Sequence, residues 1–117
     1  MSPYVKFLKG VSEPLKALGY PIYFKLPGPE VKEPFIVIGS HVDDDSATAK
    51  MGPSIISADL QIDIFLPAGD RALAEEVTYR ARMLLGRRQR VLSDIRIDKT
   101  IGREVYHVII KIEDYIR

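Results

Sequence analysis

His41 is followed by Asp43, Asp44 and Asp45, the densest run of potential ligands in the chain. Hard divalent cations take clustered carboxylate oxygens, so a metal-assisted hydrolase on these residues is one chemistry to weigh. The run lacks the Asp-x-Asp-x-Asp-Gly ladder and the later Glu of a calcium loop, and three adjacent acids point in different directions. The reading is a solvated loop or a contact to a basic neighbour, with no metal and no cofactor. His107 is the other of the two histidines. Asp59 and Asp63 share with it what reads as the wet face of a sheet, where carboxylates could orient an imidazole for hydrolysis. Cross-strand polar pairing is the plainer account of the same residues. There is no serine nucleophile elbow, no H-E-x-x-H and no GxGxxG. With no cysteine there is no disulfide, thiolate metal site or cysteine nucleophile. The sequence presents no reaction centre.

A second constellation is basic. Arg80, Arg82, Arg87, Arg88 and Arg90 gather at the end of one helix. They complement the helix dipole there, or form a phosphate-facing or subunit-facing edge. An arginine fork pairs bidentately with carboxylates such as Asp43 to Asp45 of a neighbouring copy, and head-to-tail contacts of that kind can close into a ring. The same groups could equally pair within one chain. The candidate subunit-interface residues are therefore His41, Asp43, Asp44, Asp45, Arg87, Arg88 and Arg90. Replacing the three arginines by glutamate is expected to leave the fold intact and to block assembly.

Elements must hold these groups in place. Ser57 to Gly86 reads as strand, corner and helix. Ala58, Leu60, Ile62, Ile64 and Leu66 alternate with polar residues, the period of a half-buried strand. Pro67-Ala68-Gly69 breaks it, Asp70 can cap a helix, and Leu73, Val77, Ala81 and Leu84 form its apolar stripe. Gly86 is placed to end that helix in a left-handed conformation. Upstream, Ser2-Pro3 starts a helix whose stripe includes Phe7, Leu8, Val11 and Leu15. Pro14 predicts a kink or break near Gly10 to Ser12, with Ser12 capping a second short helix. A short strand falls within Pro21 to Leu26. Phe35-Ile36-Val37-Ile38 reads as a strand covered on both faces, and the polar run from Gly39 to Ser54 as a long connector. Ile95 to Ile97 and Val105 to Ile116 read as a terminal pair of strands.

The fold class expected is α+β: a mostly antiparallel sheet of four to five strands with two helices on one face, because each helix has one apolar stripe to bury. The outer face, carrying Asp59, Gln61, Asp63, His107, Lys111 and Glu113, reads as too polar for a second core. The chain of 117 residues is expected to be one domain, 1–117. It is 46% hydrophobic and 28% charged, which argues against disorder. A net charge of +1 gives no global pull toward nucleic acid or an acidic membrane. No apolar run approaches the roughly 20 residues that span a bilayer. The N-terminus lacks a signal-peptide layout, so a cytosolic product is expected.

The layout of a short N-terminal helix, the strand Pro34 to Gly39, a long polar loop, the strand Ala58 to Phe65 and the helix Asp70 to Leu85 resembles small tail-completion or tail-terminator proteins of long-tailed bacteriophages and prophages. The resemblance runs over nearly the full length and rests on patterns rather than invariant signatures. It implies an α+β domain without catalysis, forming a ring, usually hexameric, that ends the tail tube and joins it to the head. It implies self-association on the tail, with a monomer in solution compatible. The tail tube protein and a head-completion protein would be partners, and DNA would pass through the lumen without sequence-specific binding. The product would be made in the bacterial host cytoplasm and reside in the virion tail. Gly39 to Ser54 would touch neighbours or the tube, and Arg87 to Arg90 would be a subunit or channel edge. A small bacterial interaction or adaptor domain is the first alternative, and the metal-assisted hydrolase the second.

Overall fold

The structure, a computed structural model, describes residues 2–44 and 56–116. In chain order it contains helix α1 (Pro3–Leu15), a 3₁₀ turn (Lys16–Leu18), strands β1 (Ile22–Tyr23), β2 (Phe35–Asp44) and β3 (Ile56–Pro67), helix α2 (Arg71–Leu85), and strands β4 (Arg90–Asp98) and β5 (Val105–Ile116). The fold is α+β. The five strands form one sheet in the order β1-β2-β3-β5-β4, antiparallel throughout except for the parallel β1–β2 pair.

The central pair is β3 and β5, in unbroken register from Ile56↔Ile116 to Pro67↔Val105. Period-two alternation puts Leu60, Ile62, Ile64 and Leu66 on one face with Val108, Ile110 and Ile112. Both helices pack on that face: Val11 and Leu15 from α1, and Ala74, Val77, Ala81 and Leu85 from α2, complete the main core. Each fully buried Leu or Ile there contributes about 1.5–3 kcal/mol.

The helix ends follow their local chemistry. Ser2 accepts from the Val5 N–H at 3.2 Å, and Asp70 from the Leu73 N–H at 2.9 Å. Gly86 ends α2 with φ 70° and ψ −157°, a positive φ as expected but outside the left-handed helical well. α1 does not break near Gly10. It runs unbroken through Pro14, because the proline stands in its last turn and only one carbonyl, that of Gly10, loses a helical donor.

Two further expectations are corrected. β2 does not stop at Gly39; it continues to Asp44, paired with β3 as far as Asp44↔Ser57. An extra residue between Ile38 and His41 is absorbed as a bulge, which lets a Gly-Ser step sit inside a strand. The outer face of the sheet is not polar throughout. At one end Phe35, Val37, Phe65 and Val105 form a second buried cluster, with Tyr23, Val31 and Ile101 packed against it. The segment between β1 and β2 folds back over this end, so the apolar alternates of β2 have a cover that helices do not supply.

Arg103, in the β4–β5 turn, holds that segment down. It donates to the carbonyls of Pro29 at 3.0 Å and Val31 at 2.7 Å and to the Glu33 carboxylate at 2.9 Å through Nε, with Nη2 also paired to Glu33. Its hydrogen bonds hold the Glu33 carboxyl below the usual glutamate range.

Candidate functional site

The outer face carries one dense polar constellation, centred on His107. Phe35, Phe65 and His107 lie in register across β2, β3 and β5. Their rings stack in sequence, Phe35 on Phe65 at 5.0 Å between centroids and Phe65 on His107 at 4.4 Å and 21°. The stack fixes the plane of the imidazole, and its two nitrogens then point along the sheet to diagonal neighbours. Nε2 lies 2.7 Å from Asp63 Oδ1 on β3, and Nδ1 lies 2.8 Å from Asp98 Oδ2 on β4.

Both carboxylates are held from behind. Gln61 Nε2 donates to Asp63 at 3.0 Å. The Thr100 backbone N–H and hydroxyl donate to Asp98 Oδ1 at 2.7 and 2.6 Å. The side chains of His107, Asp63 and Asp98 are only 12%, 15% and 12% exposed. Burial pulls the His107 pKa down, but hydrogen bonds and charge from the two carboxylates outweigh it and leave it above the ordinary histidine value. The Thr100 donors, helped by His107, hold Asp98 below the usual aspartate range.

An imidazole whose two nitrogens both face carboxylates is favoured as imidazolium, donating to each. A general base needs a free nitrogen within reach of a substrate proton. Here neither nitrogen is free, and the arrangement ties β3, β5 and β4 together.

The pairing of Asp63 with His107 follows from sequence parity, since both alternate onto the wet face. Asp59 does not join them: it is exposed and opposite Glu113, further along the strand. Asp98 is the member of the cluster that the alternation around His107 does not single out. The available signal was Asp98-x-Thr100, an Asx-turn pattern leaving a strand of the same outer parity.

The predicted interface residues fall into three groups. His41, Asp43 and Asp44 belong to β2, in backbone register with Leu60, Ala58 and Ser57 rather than in a loop. Asp45 and most of the connector to Ser54 lie outside the described residues. Arg87 and Arg90 are exposed past the end of α2. Arg88 turns inward: it donates to the carbonyls of Leu85 and Gly10, each at 3.0 Å, and lies 3.5 Å from Asp114. It therefore joins α2, α1 and β5, and its replacement would not leave the fold untouched. Arg82 also contacts its own chain, at Ser93 Oγ (3.1 Å) and the Val91 carbonyl (3.4 Å). Among the described residues no group of three His, Asp or Glu side chains is arranged to hold a metal ion, and no helix is long and apolar enough to cross a membrane.

Comparison with protein-family models and with curated proteins returns no match for this chain.

Proposed function

We propose that the protein is a structural virion assembly protein, a tail terminator or completion protein. It forms a ring at the end of a phage tail tube and joins the tube to the head. It acts by self-association and docking, without a cofactor and without catalysis. The tube protein and a head-completion protein are its partners, and DNA passes through the lumen without being read. The supporting observation is how the charged groups divide. His107, Asp63 and Asp98 are closed on one another, whereas Arg87 and Arg90 stand open at the end of α2. A helix near the N-terminus, then the long β2–β3 pair, then a second helix is the part of the element order that supports the reading.

Co-expression with the tail tube protein of the same genome tests the reading. Electron microscopy of the tubes should show a terminal ring whose presence depends on this chain. Tubes that end identically with and without it would remove the proposal.

A further inference from the structure

The sheet has two edges, and they are protected unequally. On one side the two-residue β1 covers β2 only at Ile36 and Val37. The rest of that edge, β2 to Asp44, is interrupted by the Ile38–His41 bulge and carries Asp43 and Asp44, devices that disfavour an incoming strand. β4 runs for nine residues, Arg90–Asp98, without proline or glycine, and among the described residues only β5 lies beside it. The unpaired N–H and C=O groups of such an edge are a template for another strand. Leu92 and Ile97 are 48% and 58% exposed along it. Arg82 occupies the Val91 carbonyl; from Asp94 to Ile97 the backbone is paired with β5 on one side, and its other side faces the open edge.

The charge order along β4 favours one partner. Asp94 and Arg96 share a face, and Arg96 Nε donates to Asp94 Oδ2 at 3.2 Å. Suppose two copies of β4 pair antiparallel about a twofold axis through Ile95. Asp94 of each copy then falls opposite Arg96 of the other. The two intrachain pairs close into a square with opposite charges at adjacent corners. Moving the axis by one residue sets Asp94 against Asp94, or Arg96 against Arg96, which like-charge repulsion disfavours. On the other face Ile95 meets its own copy, and Ile97 gains cover beside it. A strand with this charge order is complementary to itself.

We infer that β4 is a docking edge for a second copy of this chain, joined antiparallel about Ile95 into a twofold dimer with one continuous sheet. The contact is isologous and closes on itself, so it is separate from the head-to-tail contacts of a ring and does not rest on them.

Sedimentation velocity over a concentration series tests it. The wild-type chain should show a monomer–dimer equilibrium. Asp94→Arg and Arg96→Asp, both at exposed positions, should each weaken it about tenfold or more, since each turns two attractive pairs repulsive. The double variant D94R/R96D should dimerise again, because the square is kept with its signs exchanged. An equimolar mixture of the two single variants should form a heterodimer, Arg facing Asp at every corner. A wild-type chain that is monomeric at every concentration reached would overturn the inference. So would dimers or larger rings that form equally well in both single variants; rings of that kind would support assembly through another surface.

Discussion

Arg88 donates through Nη2 to the Gly10 carbonyl at 3.0 Å, and Gly10 is the residue whose helical donor Pro14 cannot supply. A side chain from beyond α2 thus replaces a missing backbone hydrogen bond in α1. Arg88→Ala should destabilise the fold by about 1–3 kcal/mol, since it leaves a charge-assisted acceptor unmade. Pro14→Ala restores an N–H at the right place, so Arg88→Ala should cost less in that background. Urea unfolding of the four variants in a double-mutant cycle checks it. Strict additivity would show that Arg88 and Pro14 are not coupled; a residual cost in the P14A background reflects the contacts to Leu85 and Asp114.

The His107 cluster predicts how stability changes with pH. The His107 pKa is raised on folding, despite burial, by Asp63 and Asp98. Its contribution is therefore fully present below the unfolded value of about 6.5 and is lost as pH rises through the folded value. Asp98 is depressed, chiefly by Thr100, so its contribution holds above about 3.9 and is lost as pH falls through the folded value. Melting temperatures of the wild type and His107→Gln should differ most in mildly acidic solution. The difference should shrink as pH climbs above about 6.5. A difference that grows toward alkaline pH would contradict the doubly donating imidazolium.

Where the sequence was legible, one element supplied its own signal. The alternation of Tyr106, Val108, Ile110 and Ile112 marks β5, which runs from Val105 to Ile116. α2 was legible because Asp70 and Gly86 bracket an apolar stripe. The far half of β2 is not, because Gly39, Ser40, Asp43 and Asp44 have loop chemistry, and it is the pairing of His41 to Asp44 with β3 that makes the segment a strand. Asp98 was hidden for a related reason. Its meeting with His107 needs the β4–β5 register, Asp98↔Val105, which the Lys99 to Glu104 turn sets and composition does not reveal. Arg88 looks like Arg87 and Arg90 in sequence, and only the packing of α1 against α2 separates them. The second apolar cluster leaves no periodic signal, because part of its cover, Val31, comes from an irregular segment.

Arg103 makes a prediction about that segment. Its guanidinium reaches Pro29, Val31 and Glu33 at once, a fork that a lysine ammonium cannot reproduce. Arg103→Lys should keep the charge yet speed hydrogen exchange at the Val31 amide, which bonds the Gly28 carbonyl at 3.1 Å. The melting temperature should fall, and fall further for Arg103→Ala. Exchange at Val31 unchanged in both variants would mean that the cover over Phe35 and Phe65 holds without the clamp.

Arg87 and Arg90 carry the prediction that concerns assembly. Both are exposed, with no side-chain bond to their own chain among the described contacts, so reversing their charge should shift stability by no more than about 0.5 kcal/mol. Arg88 must be left in place, because it ties α2 to α1 and β5. The double variant Arg87→Glu, Arg90→Glu should therefore melt like the wild type while failing to add a ring to tail tubes, since an acidic edge repels the carboxylates or phosphates that a basic one attracts. Paired melting curves and electron micrographs read the two effects separately. A variant that melts normally and still completes tubes would remove the basic edge from the assembly surface and leave the β2–β3 pair as the element to probe next.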